Sequence, residues 1–214
     1  MPRLLMLVVA ALALALAAGA PTLSASATVA DGLAPPLEAD APVASLSPPL
    51  LMMLFDFEGS DGPRWSIEND GVMGGRSQGF VEIADGTLVF TGEVVTRGGG
   101  FTSVRAARRV DLSGYDGIEL RVRGGGRTFA LDIDDGTRSR GRQVTRRGPV
   151  PTTDTWETVR VPFASLQASA HGQRVRVAPL DRSAVQSIGV YIIDGQDGPF
   201  RLEIDWIRAY PTAE

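Results

Sequence analysis

Two glycine-rich stretches hold polar residues whose types and spacing could bind a ligand. The first reads Asn, Asp, Gly, Val, Met, Gly, Gly, Arg, Ser over residues 69–77, and the second occupies residues 98–105. Glycine tolerates positive φ and close backbone approach, and successive N–H groups in such loops can bind anions. The alternative is a structural turn whose polar side chains bond the local backbone. The residues concerned are Asn69, Asp70, Gly71, Met73, Gly74, Gly75, Ser77, Gly99, Gly100 and Arg105.

A second group of charged residues alternates with apolar ones in several short segments and would point outward from a sheet. The group predicts one charged face that binds a protein through ion pairs or a glycan through planar polar groups; the alternative is a solvated face with cross-strand pairs. A sugar platform also needs a flat apolar surface, for which Trp65, Trp156 and Tyr191 are candidates, although each equally suits the core. The charged residues are Arg121, Arg123, Asp132, Asp134, Arg160, Glu203 and Asp205.

Acidic residues near both ends of the domain are candidates for a structural calcium site. Asp56 and Glu58 would have to meet Glu203 and Asp205 across adjacent terminal strands, because calcium takes six to eight oxygen ligands. No other metal or cofactor is predicted.

No catalytic residue is predicted. The single histidine, His171, lies in a polar segment beside a glycine and is expected to be exposed. Two carboxylates on facing loops could hydrolyse a glycoside, but nothing in the sequence selects a pair. A non-catalytic binding domain is therefore favoured over a glycoside-acting enzyme.

The composition excludes several function classes. The chain has no cysteine, which excludes disulfides, thiolate metal sites and a catalytic thiol. All 21 basic residues are arginine, so a Walker lysine and a Schiff-base lysine are absent. The net charge of −4 provides no global field that would attract nucleic acid. Neither glycine run has the strand–loop–helix context of a dinucleotide site, so neither a nucleic acid nor a nucleotide is a predicted partner.

The N-terminal residues predict an export signal. Arg3 precedes an unbroken apolar run from Leu4 to Ala18, and residues 18–20 are small, as signal peptidase requires. Residues 1–20 are therefore predicted to be a signal peptide, with cleavage as late as residue 27. This places the protein outside the cell or in a bacterial periplasm. The alternative is an uncleaved membrane anchor, although the run is shorter than the roughly 20 residues of a spanning helix.

Beyond the leader, composition separates a linker from one domain. Residues 21–49 are rich in Ala, Pro and Ser and have no periodicity, which is typical of a linker. Residues 50–211 suit one domain with a sizeable core.

Alternation of apolar and polar residues predicts an all-β domain. Ile118–Arg123 and residues 128–134 alternate and are expected to pair across the Gly124–Gly126 turn. Asp85 and Gly86 suit a type I′ hairpin turn, where both positions need positive φ. The Arg-rich residues 137–147 are expected to form an edge strand or a loop.

The C-terminal segment has the clearest strand pattern. Phe200, Leu202, Ile204 and Trp206 alternate with charged residues and are expected to face the core. With about eight to ten short antiparallel strands and no helix longer than about two turns, the sequence predicts a β-sandwich or jelly roll.

Several motifs together resemble the complex I intermediate-associated protein 30 family. They are the residues 69–77 loop, the residues 98–105 run, the Asp111–Gly117 stretch and the ending Ile204–Ile207, in consistent order between Phe55 and Tyr210. The spacing of Asp70, Val72, Met73, Gly74, Gly75 and Ser77 is the most specific part.

The resemblance implies a galactose-binding-like jelly roll, an architecture shared with carbohydrate-binding modules. It also implies a non-catalytic assembly role for NADH:ubiquinone oxidoreductase, and hence a protein partner, for which a membrane-associated protein is the candidate. The alternative is a secreted or periplasmic carbohydrate-binding module with a glycan as its partner. The family usually carries an acidic residue where this chain has Gly125.

Overall fold

The computed structural model describes residues 50–59 and 62–211. The predicted signal peptide, membrane anchor and linker lie outside the described residues. Within the described ranges, no helix is long and apolar enough to cross a membrane.

The described chain is built almost entirely from strands, with single-turn 3-10 helices at Asp70–Met73, Phe163–Ser165 and Arg182–Ala184. Asp181 caps the last of these by accepting a hydrogen bond from the Ser183 N–H. The strands are β1 (Met52–Phe55), β2 (Trp65–Asn69), β3 (Gln78–Ala84), β4 (Thr87–Val94), β5 (Thr102–Val110), β6 (Gly117–Arg123), β7 (Thr128–Asp134), β8 (Arg138–Ser139), β9 (Arg142–Gln143), β10 (Thr145–Pro151), β11 (Glu157–Pro162), β12 (Gln167–Ala170), β13 (Gln173–Arg174), β14 (Val185–Ile192) and β15 (Gly198–Tyr210).

Thirteen of the fifteen described strands form two antiparallel sheets that pack face to face, and β8 and β9 form a separate two-stranded hairpin. The six-stranded sheet has the order β11–β6–β15–β4–β3, with β1 also paired to β15, and the seven-stranded sheet has the order β13–β12–β10–β7–β14–β5–β2. Inner residues of both sheets form one apolar core. Phe200 of β15, for example, lies 4.8 Å from the Phe90 ring and 6.0 Å from the Phe129 ring of the opposite sheet. The predicted all-β jelly roll is therefore confirmed.

Local turn chemistry is also as predicted at the β3–β4 hairpin. Asp85 and Gly86 have φ values of 51° and 69°, and Ala84 pairs with Thr87 across the turn. An L-residue at positive φ is uncommon, and Asp is among the residue types that tolerate it.

The predicted pairing of β6 with β7 is wrong. β6 pairs with β11 and β15, whereas β7 belongs to the other sheet and pairs with β10 and β14. Gly125 and Gly126 have φ values of 64° and 78°, and the chain crosses here from one sheet to the other. Alternation indicates which face of a strand is apolar. It does not indicate whether the strand pairs with its neighbour in the sequence or with a distant strand.

Two further predictions are corrected by strand irregularity and burial. The register of β15 shifts between Ile204 and Trp206, so that Ile207 is inward and Trp206 lies on the outer face. A β-bulge adds one residue and reverses the side to which later side chains point. The Arg-rich residues 137–147 first form the β8–β9 hairpin and then enter β10, which is not an edge strand but lies between β7 and β12, where Arg146 is buried and ion-paired with Asp135.

Candidate functional site

Asp70 joins the two predicted glycine loops through its buried carboxylate. Its Oδ1 accepts a hydrogen bond from the Ser77 N–H (2.9 Å), and its Oδ2 accepts from the Ser77 hydroxyl (2.7 Å). The same Oδ2 accepts from the backbone N–H groups of Gly100 (2.6 Å) and Phe101 (3.3 Å) in the second loop. The carboxylate therefore links the β2–β3 connection to the β4–β5 connection. We call this arrangement the Asp70 junction.

Glycine is required around the junction because there is no room for a side chain. A Cβ on Gly75 would lie 2.2 Å from Asp70 Cγ, and one on Gly99 would lie 2.3 Å from Asp70 Oδ2. Gly74 and Gly100 adopt φ values of 86° and 113°, a region that favours glycine. The spacing of the motif is therefore explained by one buried acceptor and the backbone that surrounds it.

The neighbouring Asn69 extends the junction into the sheets. Its side-chain oxygen accepts hydrogen bonds from the Gly79 N–H (3.0 Å) and the Thr102 hydroxyl (2.7 Å). Gly71 and Met73 belong to the 3-10 turn that begins at Asp70. These bonds connect the starts of β3 and β5 to the end of β2.

The electrostatics of the junction favour an ionised Asp70. Burial by itself would raise the pKa of this carboxyl, but the hydrogen bonds from Gly100, Ser77 and Phe101 together hold the pKa below its ordinary value. Asp70 is 0% exposed, so several N–H groups that could have bound an external anion are already occupied by this side chain. The geometry is that of a structural junction.

Residues 75–79 also match the Gly-x-Ser-x-Gly pattern of a nucleophile elbow. In that motif the serine stands exposed on a turn between a strand and a helix. Ser77 is instead buried, donates its hydroxyl hydrogen to Asp70 and precedes a strand. The pattern is therefore coincidental in this chain.

The seven predicted residues of one charged face lie on two opposite faces. Asp132 and Asp134 are in β7 and lie on the outer side of the seven-stranded sheet. The other five lie on the outer side of the six-stranded sheet. The prediction of one face is wrong because it depended on pairing β6 with β7. The five are Arg121, Arg123, Arg160, Glu203 and Asp205.

Ion pairs connect the outward side chains of β6, β11 and β15. Glu119, only 1% exposed, is bonded by Arg160 (2.8 Å) and by Arg208. Burial would raise the pKa of Glu119, but the hydrogen bonds from these two guanidinium groups lower it. Arg123 and Arg201 share Glu203 in the same way, and Arg121 lies 3.2 Å from Asp205.

Aromatic rings alternate with these ion pairs. The Arg208 guanidinium carbon is 3.9 Å from the centre of the Trp206 ring, and that of Arg123 is 4.9 Å from the Trp156 ring. Arg160 lies 5.1 Å from the Tyr210 ring. Such cation–π contacts attract the guanidinium groups to the rings and add to the ion pairs that position them. We name this surface the arginine–aromatic face: Glu119, Arg121, Arg123, Trp156, Arg160, Arg201, Glu203, Asp205, Trp206, Arg208 and Tyr210.

The outer side of the seven-stranded sheet holds a more enclosed network. Asp132, whose side chain is 1% exposed, is ion-paired with Arg105 and with Arg147 (3.3 Å). The Arg147 guanidinium lies 3.8 Å above the ring of Tyr191, which stacks on Phe101 at 5.0 Å. Burial raises the pKa of Tyr191 to about 12. Arg105, predicted as part of the glycine-loop site, therefore belongs to this network.

Other predicted residues are not brought together. Asp134 accepts hydrogen bonds from Gln143 and the Gly136 N–H. Glu203 and Asp205 are paired with arginines, whereas Asp56 accepts a hydrogen bond from the Glu58 N–H. Over residues 50–59 and 62–211, no three His, Cys, Asp or Glu side chains are grouped as metal ligands. The calcium candidates thus do not converge.

Trp206, Arg208 and Tyr210 were missed as members of a site. A signal was present, because Ile207 and Ala209 form a second apolar alternation that is out of phase with Phe200, Leu202 and Ile204. Two alternations of opposite phase within one strand indicate a bulge between them. Trp65, in contrast, is buried in the core, and Arg76 is exposed.

Comparison with solved structures supports the fold. The chain is similar to the family 11 carbohydrate-binding module from Clostridium thermocellum in complex with a β-1,3-1,4-mixed-linked tetrasaccharide, with a TM-score of 0.57 and 17% identity. This match covers 77% of this chain and 97% of that module. An agarase, AgWH50C, matches with a TM-score of 0.52 and 16% identity over 76% of this chain and 25% of its own. At such identities the likeness shows the fold alone.

Curated relatives carry the same family name. A protein of Mus musculus described as complex I intermediate-associated protein 30, mitochondrial, is 32% identical over 182 residues, which cover 72% of this chain and 54% of the relative. The Drosophila melanogaster protein of that description is 26% identical and is covered over 61% of its length. The chain spans about half the length of the curated relatives it matches.

The relatives correct the predicted location. They are described as mitochondrial, which contradicts the prediction of a secreted or periplasmic protein. That prediction depended only on residues 1–20, with their single arginine, apolar run and small residues, and these lie outside the described residues. The family model for complex I intermediate-associated protein 30 matches residues 55–204. The chain therefore belongs to the complex I intermediate-associated protein 30 family.

Proposed function

We propose that this chain is a non-catalytic binding domain that assists the assembly of complex I by holding a protein partner on its arginine–aromatic face. The names of the relatives supply the biological setting, since these proteins are described as associated with intermediates of that complex. The observation that carries the proposal is the continuous row of half-exposed guanidinium and aromatic groups across β11, β6 and β15.

The residue types of this face are those that dominate protein interfaces. Trp, Tyr and Arg are enriched at binding hot spots, because they offer large contact areas with few rotatable bonds per contact. The arginine side chains remain between 29% and 65% exposed although each is paired within the face. They are thus held in position and still available to a partner.

The charge of the face indicates an acidic partner surface. It carries five arginines against Glu119, Glu203 and Asp205, an excess of two positive charges on a chain whose net charge is −4. Local complementarity of this kind speeds encounter and suppresses wrong partners. Arginine also matches carboxylates in a bidentate geometry that lysine does not offer.

Genetic complementation tests the function. Deleting the gene in the source organism should lower the amount of assembled complex I, measured on native gels with NADH dehydrogenase staining, and the wild-type gene should restore it. Unchanged complex I after deletion would reject the assembly role.

Variants of the face test the binding surface. Arg121→Glu and Trp206→Ala together should fail to restore assembled complex I, because they remove an anchor and reverse a charge. Arg142→Glu is the matched control, since it makes the same charge change at an exposed residue of β9 outside the face. If the double variant restores assembly as well as Arg142→Glu does, the arginine–aromatic face is rejected as the binding surface, while the assembly role is not affected by this result.

Glycan binding is the second candidate, favoured by the two tryptophans on an open sheet face. Sugars stack on free ring faces, however, and here one face of Trp206 and one of Trp156 are covered by arginine. Affinity electrophoresis in mixed-linkage β-glucan distinguishes the candidates. We expect unchanged migration, whereas retardation that Trp206→Ala abolishes would favour the glycan.

A further inference from the structure

A cavity of about 640 Å³ opens between β1, the described residues that follow it, the start of β2 and the ends of β3 and β5. Its lining includes Met53, Phe55, Phe57, Trp65, Ile83 and Arg108. We propose that this cavity binds a small monocarboxylate with a flat aromatic body. The inference goes beyond the proposed function and concerns a different surface from the arginine–aromatic face.

Three aromatic rings form the apolar wall. Phe55 lies 4.9 Å from Trp65, Phe57 lies 5.8 Å from Trp65, and the two phenylalanine rings are 6.2 Å apart and nearly parallel, at 11°. The volume is within the roughly 300–1,000 Å³ that ligand pockets occupy. An aromatic body can therefore be enclosed without opening the core.

Arg108 provides the polar end of the cavity. In β5 it has the same inward parity as Val104 and Ala106, and its guanidinium carbon lies 5.6 Å from the centre of the Phe55 ring. Its Nε is buried and has no hydrogen-bond partner in the described part of the chain. Across the same residues no carboxylate lies within 4.0 Å of this guanidinium.

An arginine without a carboxylate partner is unfavourable in a partly enclosed, apolar surrounding. A ligand carboxylate in the cavity would accept from the terminal N–H groups of the Arg108 guanidinium and neutralise its charge. The aromatic body would then lie against Phe55 and Trp65. Arg108 thus selects the carboxylate of the ligand, and the aromatic wall selects its flat apolar body.

The backbone beside the cavity has a conformation that is rare for a bulky residue. Phe57 has a φ of 58°, which is an outlier for a bulky L-residue, and the register of β1 shifts between Met53 and Phe55. Strained residues persist where the surroundings hold them in place and gather at ligand sites. Here the strain directs the Phe57 ring into the aromatic wall.

The rim limits the charge that the ligand can carry. Asp56 and Glu58 also line the cavity, and both are exposed. A second carboxylate on the ligand would lie near these two groups and be repelled, although solvent and salt would screen the effect. A single carboxylate, bound inward at Arg108, avoids this repulsion.

Calorimetric titration of the full chain with 2-naphthoate and with 2-naphthylmethanol tests the proposal. The acid should bind about tenfold or more tightly than the alcohol, because a charge-assisted hydrogen bond is stronger than a neutral one. Arg108→Gln should abolish this preference. Arg109→Gln, at the exposed next position of β5, should retain it.

Three outcomes would overturn the site: no binding of either compound, equal affinities for the two, or the same loss in Arg109→Gln as in Arg108→Gln. Near-ultraviolet circular dichroism reports whether Arg108→Gln folds. If it does not fold, Met53→Trp tests the location of the site instead, since Met53 is 44% exposed and its replacement should not disturb the fold. A tryptophan there should narrow the cavity and weaken both compounds severalfold, and unchanged binding would reject the location.

Discussion

Replacing Asp70 by asparagine should strongly destabilise the protein while changing the shape of the side chain very little. An amide oxygen in the place of Oδ2 can still accept from the Ser77 hydroxyl, Gly100 and Phe101. The amide nitrogen then takes the place of Oδ1 and faces the Ser77 N–H, which is also a donor. The variant therefore loses one bond completely and the negative charge that strengthens the other three.

The expected magnitude follows from these four contacts. A hydrogen bond to a charged group contributes about 1.5–3 kcal/mol, and a buried donor left unpaired costs about 1–3 kcal/mol. The loss of one such bond, with weakening of the rest, should lower the free energy of unfolding by about 3–5 kcal/mol. This is a large fraction of the roughly 5–15 kcal/mol that stabilises a typical domain.

Urea denaturation, followed by tryptophan fluorescence, measures the effect. Asp111→Asn is the control, because the exposed Asp111 also accepts a backbone hydrogen bond, from the Ser113 N–H at 2.8 Å, and its replacement should change the midpoint far less. A free energy of unfolding for Asp70→Asn within about 1 kcal/mol of the wild-type value would refute the assignment of Asp70 as the acceptor that joins the two loops.

Three further outcomes are expected. Because folding lowers the pKa of Asp70 from about 3.8, the contribution of its carboxylate to stability should be complete above that pH and disappear as the pH falls through the folded-state pKa. The free energies of unfolding of the wild type and Asp70→Asn should therefore converge in acid. A difference that stays constant with pH would contradict this. Gly99→Ala should cost about 1–3 kcal/mol by overpacking against Asp70, whereas Gly114→Ala, which has no atom within 4 Å of the added Cβ, should be nearly neutral in thermal melts. The raised pKa of Tyr191, about 12, predicts that the free energy of unfolding decreases as the pH rises above about 10, and that Tyr191→Phe removes part of this decrease. Ultraviolet titration of the folded protein at alkaline pH checks the assignment. A tyrosine that ionises near pH 10 in the wild type and is missing from Tyr191→Phe would contradict it.

Local rules predicted the elements of this fold well. The Asp85–Gly86 turn follows from the positive φ that a type I′ hairpin requires at both positions. Ile118, Leu120 and Val122 are all inward because a strand repeats every two residues. Such features depend on neighbours in the chain, and the sequence contains them.

Sheet partners and strand irregularities were predicted less well. β6 and β7 are adjacent in the chain, yet they lie in opposite sheets because each finds a better neighbour among distant strands. The bulge before Trp206 places that ring outside, next to Arg208. Both results arise from the packing of two whole sheets, which no local pattern encodes.

The order of residues along the chain is enough to predict an all-β domain, the two glycine loops that are typical of the family, and arginine as the residue type of all 21 permanently positive side chains. The packing of the folded chain adds that one buried carboxylate joins those loops, that the charged residues divide between two faces, and that Arg108 lies beside an aromatic cavity. The physical reason is that alternation specifies on which side of a strand a residue lies. Which residues meet depends on the register and order of strands far apart in the chain.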